Sequence, residues 1–446
     1  MVELGGLRIA VLGLGRSGIA VALAAQARGA ETTLFDQQTL DSSGRFAEIE
    51  RLQAAGIEVE TGWHGRLTGS EFDIVVSSPG FRREHPALRD AQQAGAKIWS
   101  EIEFAYAIAK APILAITGTN GKSTTTVMTW LMVREVVPGA LLCGNIHGSG
   151  YPELTLTEAA DQAGPEDALI AEVSSYQLEW VHEFRPRVAC VTNITPDHFD
   201  RHPDFEDYRQ TKLRLFAQMG LGDTAVVLEP DAVNIAEGIP DACTVVKVGQ
   251  SDDSGWWVKD ERFELAEVKF LGRHNATNAA TAGALAVALT GKPACDMIQG
   301  LKTFGGIEHR MESLGRLRGR TIINNSMCTN PAAMIASVSG FLGNSVLMVN
   351  GTMKGLDYNA CRQELIEKKA RIVLFGAELP GTLQQAWKED FPVEPDLESA
   401  FIHSLNLAKD GENVILCPGG ASVEPYANFR ERGEAFKALV ESVRQG

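Results

Sequence analysis

No stretch of this 446-residue chain is apolar for the ~18 residues that a membrane-spanning helix needs, so no transmembrane segment is expected. Its first residues, MVELGGLRIAVLGLG, lack a basic lead and a cleavage-like site, which argues against a secretory leader. No two of the seven cysteines form a C-x-x-C pair, and an odd number suits free thiols in a reducing compartment. Positive charge is in deficit: 41 Lys and Arg stand against 57 Asp and Glu, a formal charge of −16. Such a chain repels a phosphate backbone, so nucleic acid is not an expected partner, and any bound phosphate must be held by local donors. Low-complexity tracts and short repeats are also missing. A cytoplasmic protein, monomeric and without a membrane span, is the expectation.

What is present is an alternation of short apolar runs with helical patterns. RIAVL (8–12) reads as a buried strand, GLGRSGIAVALAAQARGA as a turn and helix, and ETTLFD as a strand ending at Asp36, a βαβ opening. DIVVSSPGF (73–81) is a further strand with a Pro-Gly stop. PILAIT (112–117) begins a second series, continued by ALIAEVS (168–174) and VACVTNIT (188–195). A third contains TIINNS (321–326), SVLMVNG (345–351), RIVLFG (371–376) and NVILCPGG (413–420). Strands alternating with helices throughout predict an α/β chain with parallel sheets. Three series in a chain of this length predict three domains, with seams near residues 108 and 306.

The most informative stretch is ILAITGTNGKSTTT (113–126). An apolar strand runs into Gly118, Thr119, Asn120, Gly121, Lys122, Ser123 and Thr124, and the threonines open a helix. Glycines let backbone N–H groups turn in around phosphate oxygens, and the helix N-terminus adds partial positive charge. Lys122 would reach the β and γ phosphates of ATP, and Ser123 would place a hydroxyl on Mg²⁺. The spacing is not the usual G-x-x-x-x-G-K-[ST], because Ile116 holds the place of the first glycine. A second glycine-rich turn, GLGRSG (13–18), fits a dinucleotide fingerprint with Asp36 about 20 residues on. By itself it does not choose between a nicotinamide cofactor, another nucleotide ligand and a tight βα turn.

Further motifs follow in order: CGNI (143–146), AEVSSYQLE (171–179), NITPDHFDRH (193–202), TKLRLF (211–216), GRHNATNAA (272–280), EHRMES (308–313), NNSMCTNPAA (324–333), TMKG (352–355) and GGASVEPYANFRERG (419–433). This ordered set resembles the Mur ligases and runs through all three series. The resemblance implies a Rossmann-like UDP-sugar domain over 1–107, a central P-loop ATP-binding domain over 108–306 and a Rossmann-like amino-acid-binding domain over 307–446. It implies an ATP-dependent ligase acting through an acyl phosphate. Within the family it is nearest the branch that joins D-glutamate to UDP-N-acetylmuramoyl-L-alanine in peptidoglycan synthesis. By that resemblance Glu172, Ser123, His198 and Lys212 would serve two Mg²⁺ sites, with Lys212 carrying a carbamate formed from CO₂. Asp197 and Asp200 would orient His198 or Arg201. Asn275 and Asn278 would meet adenine and Arg310 the phosphates. Arg16, Ser17, Asp36, Gln37 and Gln38 would face uracil, and Ser78, Gly80 and Asn145 the diphosphate. Ser174 falls in the substrate set. Thr329, Lys354, Ser422 and Phe429 would hold the incoming glutamate.

Three departures from the family pattern stand out, one where ATP and the amino acid are expected to meet and one, at His147, beside the expected diphosphate site. Where it usually reads Asn-Asp-Ser-Lys-Ala-Thr-Asn, this chain has NNSMCTN (324–330), so Asn325 and Met327 replace an anion and a cation. His147 stands where a glycine is usual, and Thr352 where an aspartate is common. Ligation of L-glutamate or another amino acid, and a nucleotide-binding protein without ligase activity, are therefore open alternatives at this level.

Overall fold

The computed structural model describes residues 2–39, 45–67, 72–199, 201–229, 232–250, 255–258, 261–264, 273–339, 344–352, 358–376, 378–388, 391–422 and 425–445. Its strands form three sheets. The first contains β1 (Arg8–Leu12), β2 (Glu31–Asp36), β3 (Glu58–Thr61), β4 (Ile74–Ser77) and β5 (Lys97–Ser100), all parallel, in the order β3-β2-β1-β4-β5. The strand order reverses between β1 and β4, and a crevice opens beyond the carboxyl ends of such a pair. The GLGRSG turn and Ser78–Gly80 flank it. The turn depends on its last glycine, since a Cβ at Gly18 would lie 1.9 Å from the Gly13 carbonyl oxygen.

The central sheet holds β6 (Ile113–Thr117), β7 (Ala140–Gly144), β8 (Glu153–Leu154), β9 (Ala168–Glu172), β10 (Val188–Val191), β11 (Thr224–Leu228), β12 (Thr244–Gln250), β13 (Gly255–Val258) and β14 (Glu261–Glu264). Their order is β14-β13-β12-β11-β10-β6-β9-β7-β8. β6 is flanked by β9, with Ile116 opposite Glu172, and by β10, with Thr117 opposite Val191. The phosphate loop, Glu172 and the Thr192–Asn193 turn therefore leave the sheet side by side. Behind them the alanine-rich Arg273–Thr290 helix packs on the Lys122–Val133 helix, with Ala279, Ala282 and Ala286 sharing a core with Val127, Met128 and Leu131. Small side chains allow this close approach and bring Asn275 and Asn278 over the loop.

In the third sheet the order is β15 (Glu312–Leu317), β16 (Arg320–Asn324), β20 (Asn413–Gly419), β17 (Ser345–Asn350), β18 (Arg371–Phe375) and β19 (Val393–Glu394). Arg432 is fully buried beneath it. Its guanidinium donates to Ser326 Oγ (3.1 Å), the Ser326 carbonyl (2.9 Å) and Asn350 Oδ1 (3.2 Å), and burial lowers its pKa to about 10.

The expected parallel sheets are present, with antiparallel additions at two edges. β12–β13–β14 and β15–β16 are antiparallel. The β15–β16 hairpin turns on Arg318 and Gly319, both at positive φ (46° and 78°), the two-residue loop geometry that matches the twist of paired strands. VACVTNIT is strand only as far as Val191; the rest wraps the phosphate loop.

Candidate functional site

Gly118 and Gly121 occupy φ of +146° and +83°. A Cβ at Gly118 would stand 2.0 Å from Thr192 Oγ1, and one at Gly121 2.7 Å from Asn278 Oδ1, so both steric room and backbone angle require glycine. The loop is fastened from β10. Asn193 Oδ1 accepts from the Asn120 N–H (3.0 Å), while Asn193 Nδ2 (3.0 Å) and Thr192 Oγ1 (2.7 Å) donate to the Asn120 carbonyl. Thr119 Oγ1 donates to the Thr195 carbonyl (3.1 Å) and lies 3.2 Å from Tyr208 Oη. The Lys122–Val133 helix that follows has no side-chain N-cap, an arrangement suited to an anion at its N-terminus. Ser123 and Thr124 are buried in its first turn.

Two lysines converge on this loop. Lys122 Nζ donates to the carbonyls of Gly118 and Thr119, both at 2.9 Å, and Lys212 Nζ donates to the same Gly118 carbonyl at 2.8 Å. Lys212 is 1% exposed and its Nζ lies 4.6 Å from the ring centroid of Tyr208, one helical turn earlier. Burial, then the charge of Lys122, push its pKa well below the ordinary lysine value, against the opposing pull of Asp197 and Glu172. Both lowering effects favour the neutral amine.

Replacing Lys212 with methionine tests this reading. The unfolded chain holds a proton on Lys212 up to about pH 10.4, whereas the folded chain releases it at lower pH. Between the two values the unfolded state binds more protons, so this group's contribution to stability grows as pH rises and falls away as pH drops through the folded value. Lys212→Met should flatten that part of the stability–pH curve, measured by denaturant unfolding, while keeping the fold and removing activity.

At the end of β9, Glu172 is 3% exposed. Its Oε1 accepts from Asn145 Nδ2 (2.9 Å), and its Oε2 is buried with no hydrogen-bond partner. A buried carboxylate oxygen without a donor is costly unless a cation meets it, and a hard divalent ion such as Mg²⁺ fits an all-oxygen donor of this kind. His198 has φ +57°, and its Nδ1 lies 2.7 Å from Tyr176 Oη.

Between the central and third sheets lies a cleft of about 350 Å³. Asn120, Gly121, Thr124, Asn275 and Asn278 form one wall; Arg310, Met311, Asn325, Met327 and Cys328 form the other; Phe304–Ile307 close one end. Asn278 is set by Asn275 Oδ1 (3.1 Å) and by Thr125 Oγ1 (3.3 Å). The Arg310 guanidinium has no hydrogen-bond partner among the described residues, and burial lowers its pKa.

Comparison with known proteins places the chain in a family. Residues 116–286 match the Mur ligase middle domain, and residues 7–100 match the Mur ligase MurD-like N-terminal domain. The UDP-N-acetylmuramoylalanine–D-glutamate ligase of Caldanaerobacter subterraneus subsp. tengcongensis is 34% identical over 459 residues, covering 100% of both chains. The chain belongs to the Mur ligase family. A ligase of the same name from Myxococcus xanthus is 33% identical, covering 99% of this chain and 100% of the other. Among solved structures, the MurF ligase from Thermotoga maritima in complex with ADP shares the fold at TM-score 0.59 and 15% identity, covering 100% of this chain and 99% of that one. MurC from the same organism matches at TM-score 0.59 and 15% identity, covering 98% and 99%.

In this Mur ligase the first-sheet residues fall into two groups. Gln37, Gln38 and Gly80 are exposed and Ser17 and Ser78 half-buried along the crevice. Asp36 and Arg16 are already engaged. Asp36 accepts from the N–H groups of Leu14 (2.6 Å) and Gln38 (2.8 Å), which shapes the turn. Arg16 donates to the Glu153 carbonyl (3.0 Å) and Glu158 (3.3 Å), reaching the central sheet. Ser174 N–H and Oγ both donate to Gln177 Oε1 (3.0 and 3.1 Å). Arg201 pins the first two sheets together. Its guanidinium donates to the carbonyls of Pro79 (3.1 Å) and Phe81 (2.6 Å) and to both oxygens of Glu179 (2.9 and 2.5 Å).

On the third sheet, Thr329 and Ser422 follow the carboxyl ends of neighbouring strands β16 and β20, and Ser422 Oγ is buried with no partner. The Phe429 ring lies 6.2 Å from that of His309. Lys354 and Asp200 lie outside the described residues. Asn325 is buried and used at both ends of its amide, accepting from Met311 N–H (3.1 Å) and donating to Ser337 Oγ (2.8 Å). His147 is exposed, with Arg16, Glu153, Arg430 and Glu172 as its charged neighbours, and partial desolvation, then Arg16, lower its pKa.

Four residues that shape the site were not singled out from sequence: Thr192, Asn193, Tyr176 and Tyr208. Tyr208 left a signal in standing four residues before Lys212 and hence on the same helix face, and Tyr176 and Asn193 fall inside the AEVSSYQLE and NITPDHFDRH motifs.

Proposed function

We propose that this Mur ligase joins D-glutamate to UDP-N-acetylmuramoyl-L-alanine with hydrolysis of ATP, forming a peptidoglycan precursor in the cytoplasm as a monomer. Full-length identity to ligases of that name supports the substrate choice. The observation that carries the chemistry is the convergence of Lys122 and Lys212 on the Gly118 carbonyl, beside a strand that ends in a buried, half-unpaired Glu172.

ATP lies in the cleft, its adenine against Asn275 and Asn278 and its phosphates against the loop amides, Lys122 and Arg310. The substrate carboxylate attacks the terminal phosphorus and ADP leaves. The glutamate amine then attacks the acyl phosphate, and inorganic phosphate departs. Lys122 and Arg310 hold the phosphate charge as it shifts, because fixed cations already in place need no rearrangement during the step. Glu172, Ser123, His198 and a carbamate on Lys212 would hold Mg²⁺, which supplies neutralisation of phosphate charge when bound. The neutral amine favoured at Lys212 is the form that captures CO₂.

The first domain, 1–107, holds the sugar nucleotide. The domain 307–446 holds glutamate through Thr329, Lys354, Ser422 and Phe429. Closure about the seam near 306 brings amine and acyl phosphate together. ADP release measured with UDP-N-acetylmuramoyl-L-alanine and each enantiomer of glutamate tests the assignment. D-glutamate should stimulate release and give the amide product. Stimulation by L-glutamate alone would overturn the stereochemistry, and no product with any amino acid would overturn the ligase reading.

A further inference from the structure

A buried hydrogen bond joins the central and third sheets at the site. Asn330 Nδ2 donates to Asp197 Oδ2 at 3.0 Å, with the residues 5% and 4% exposed. Each side chain is committed at its other end. Asn330 Oδ1 accepts from the Ala333 N–H (2.8 Å) and so caps the Pro331–Ser339 helix. This fixes which amide atom faces Asp197. Asp197 Oδ1 accepts from the His198 N–H at 2.8 Å, in the turn that holds His198 at φ +57°. Phe199, the next residue, packs against the third sheet's core. The tripeptide 197–199 is therefore held by the third domain on both sides of His198, although it belongs to the central chain segment.

We infer that Asp197 and Asn330 are a latch that sets the His198 turn when the third domain docks. A non-glycine residue at positive φ is strained and persists only where its surroundings fix it. Within the central segment the His198 carbonyl accepts from the Arg201 and His202 N–H groups (both 2.9 Å) and its ring meets Tyr176 Oη; the docked domain adds two further contacts. When that domain swings away, Asp197 loses its donor and Phe199 its packing, and the turn keeps only its local hydrogen bonds. His198 is then presented in its working geometry only in the closed state. Both are positioning residues, acting through His198. The inference rests on the proposed ligase reading for its kinetic readout and on geometry alone for its structural one.

The polarity of the bond gives a test by exchange. Asp197→Asn would set an NH₂ against the NH₂ of Asn330, and Asn330→Asp would set a carboxylate against Asp197. Each should lower kcat/KM for the amino acid by tenfold or more, since a buried polar pair is lost and a repulsion gained. Each should also enlarge the radius of gyration measured by solution scattering with ATP and sugar nucleotide present. The double exchange, Asp197→Asn with Asn330→Asp, restores one donor and one acceptor while keeping an acceptor for the His198 N–H and another for the helix cap. It should recover most of the activity and the compact scattering profile. Singles without effect, or a double exchange no better than the worse single, would overturn the latch. Loss of ligase activity in the unaltered protein would instead overturn the proposed function, and the scattering comparison would still decide the latch.

Discussion

Lys122→Ala is expected to leave a folded protein that makes amide product about a hundredfold to a thousandfold more slowly, the range for removing one preorganised charge-stabilising donor. The side chain's own contacts are with two loop carbonyls, and Gly118 keeps Lys212 as a second donor, so thermal unfolding should move little. A second consequence separates this residue from an ordinary phosphate contact. The charge of Lys122 is one of the two effects that depress the Lys212 pKa. Its removal raises that pKa, shifts Lys212 toward the protonated amine, and so weakens CO₂ capture. Activity of the variant should therefore respond more steeply to added bicarbonate than that of the parent. Undiminished synthesis would remove the basis of the proposed chemistry.

Glu172→Gln is the second large effect. The substitution keeps an oxygen to accept from Asn145 Nδ2 and puts an NH₂ where the buried Oε2 has no partner. Exchanging a buried carboxylate oxygen that lacks a donor for an amide group of the same shape should leave stability nearly unchanged. Loss of the hard oxygen donor should cost about a hundredfold or more in turnover. The diagnostic measurement is ATP binding by calorimetry with and without Mg²⁺. Tightening by the ion in the parent should largely vanish in the variant. If the ion tightens ATP equally in both, Glu172 does not hold it.

The features legible in sequence were those written in local patterns. β6, β9, β17, β18 and β20 are uniformly or almost uniformly buried, and each announces itself as an apolar run. The phosphate loop was legible because its two glycines, lysine and serine are contiguous. Strands such as β3, whose residues are all exposed or half-buried, carry no such run and were missed. Strand order was beyond reach for a different reason. That Glu172 stands beside Ile116 follows from β9 returning to pair with β6 across 50 residues of intervening chain, which no local pattern records. The same holds for Thr192 and Asn193, ordinary polar residues until β10 places them against Asn120. Asn325 and Met327 looked in sequence like the loss of a charge pair. In the fold Asn325 is a fully bonded amide joining Met311 to Ser337, a role that a carboxylate, having no donor, could not fill in the same way.

The Arg201 guanidinium has a mechanical corollary. With backbone oxygens that follow the first sheet and a buried carboxylate of the central segment clasped by one side chain, the joint between the first two sheets has little freedom to flex. Breathing is then confined to the remaining joint, past Phe304. Under the proposed placement of the ligands, order of addition would follow from the scaffold: the nucleotides would settle on the stationary part, and the amino acid would arrive with the piece that swings.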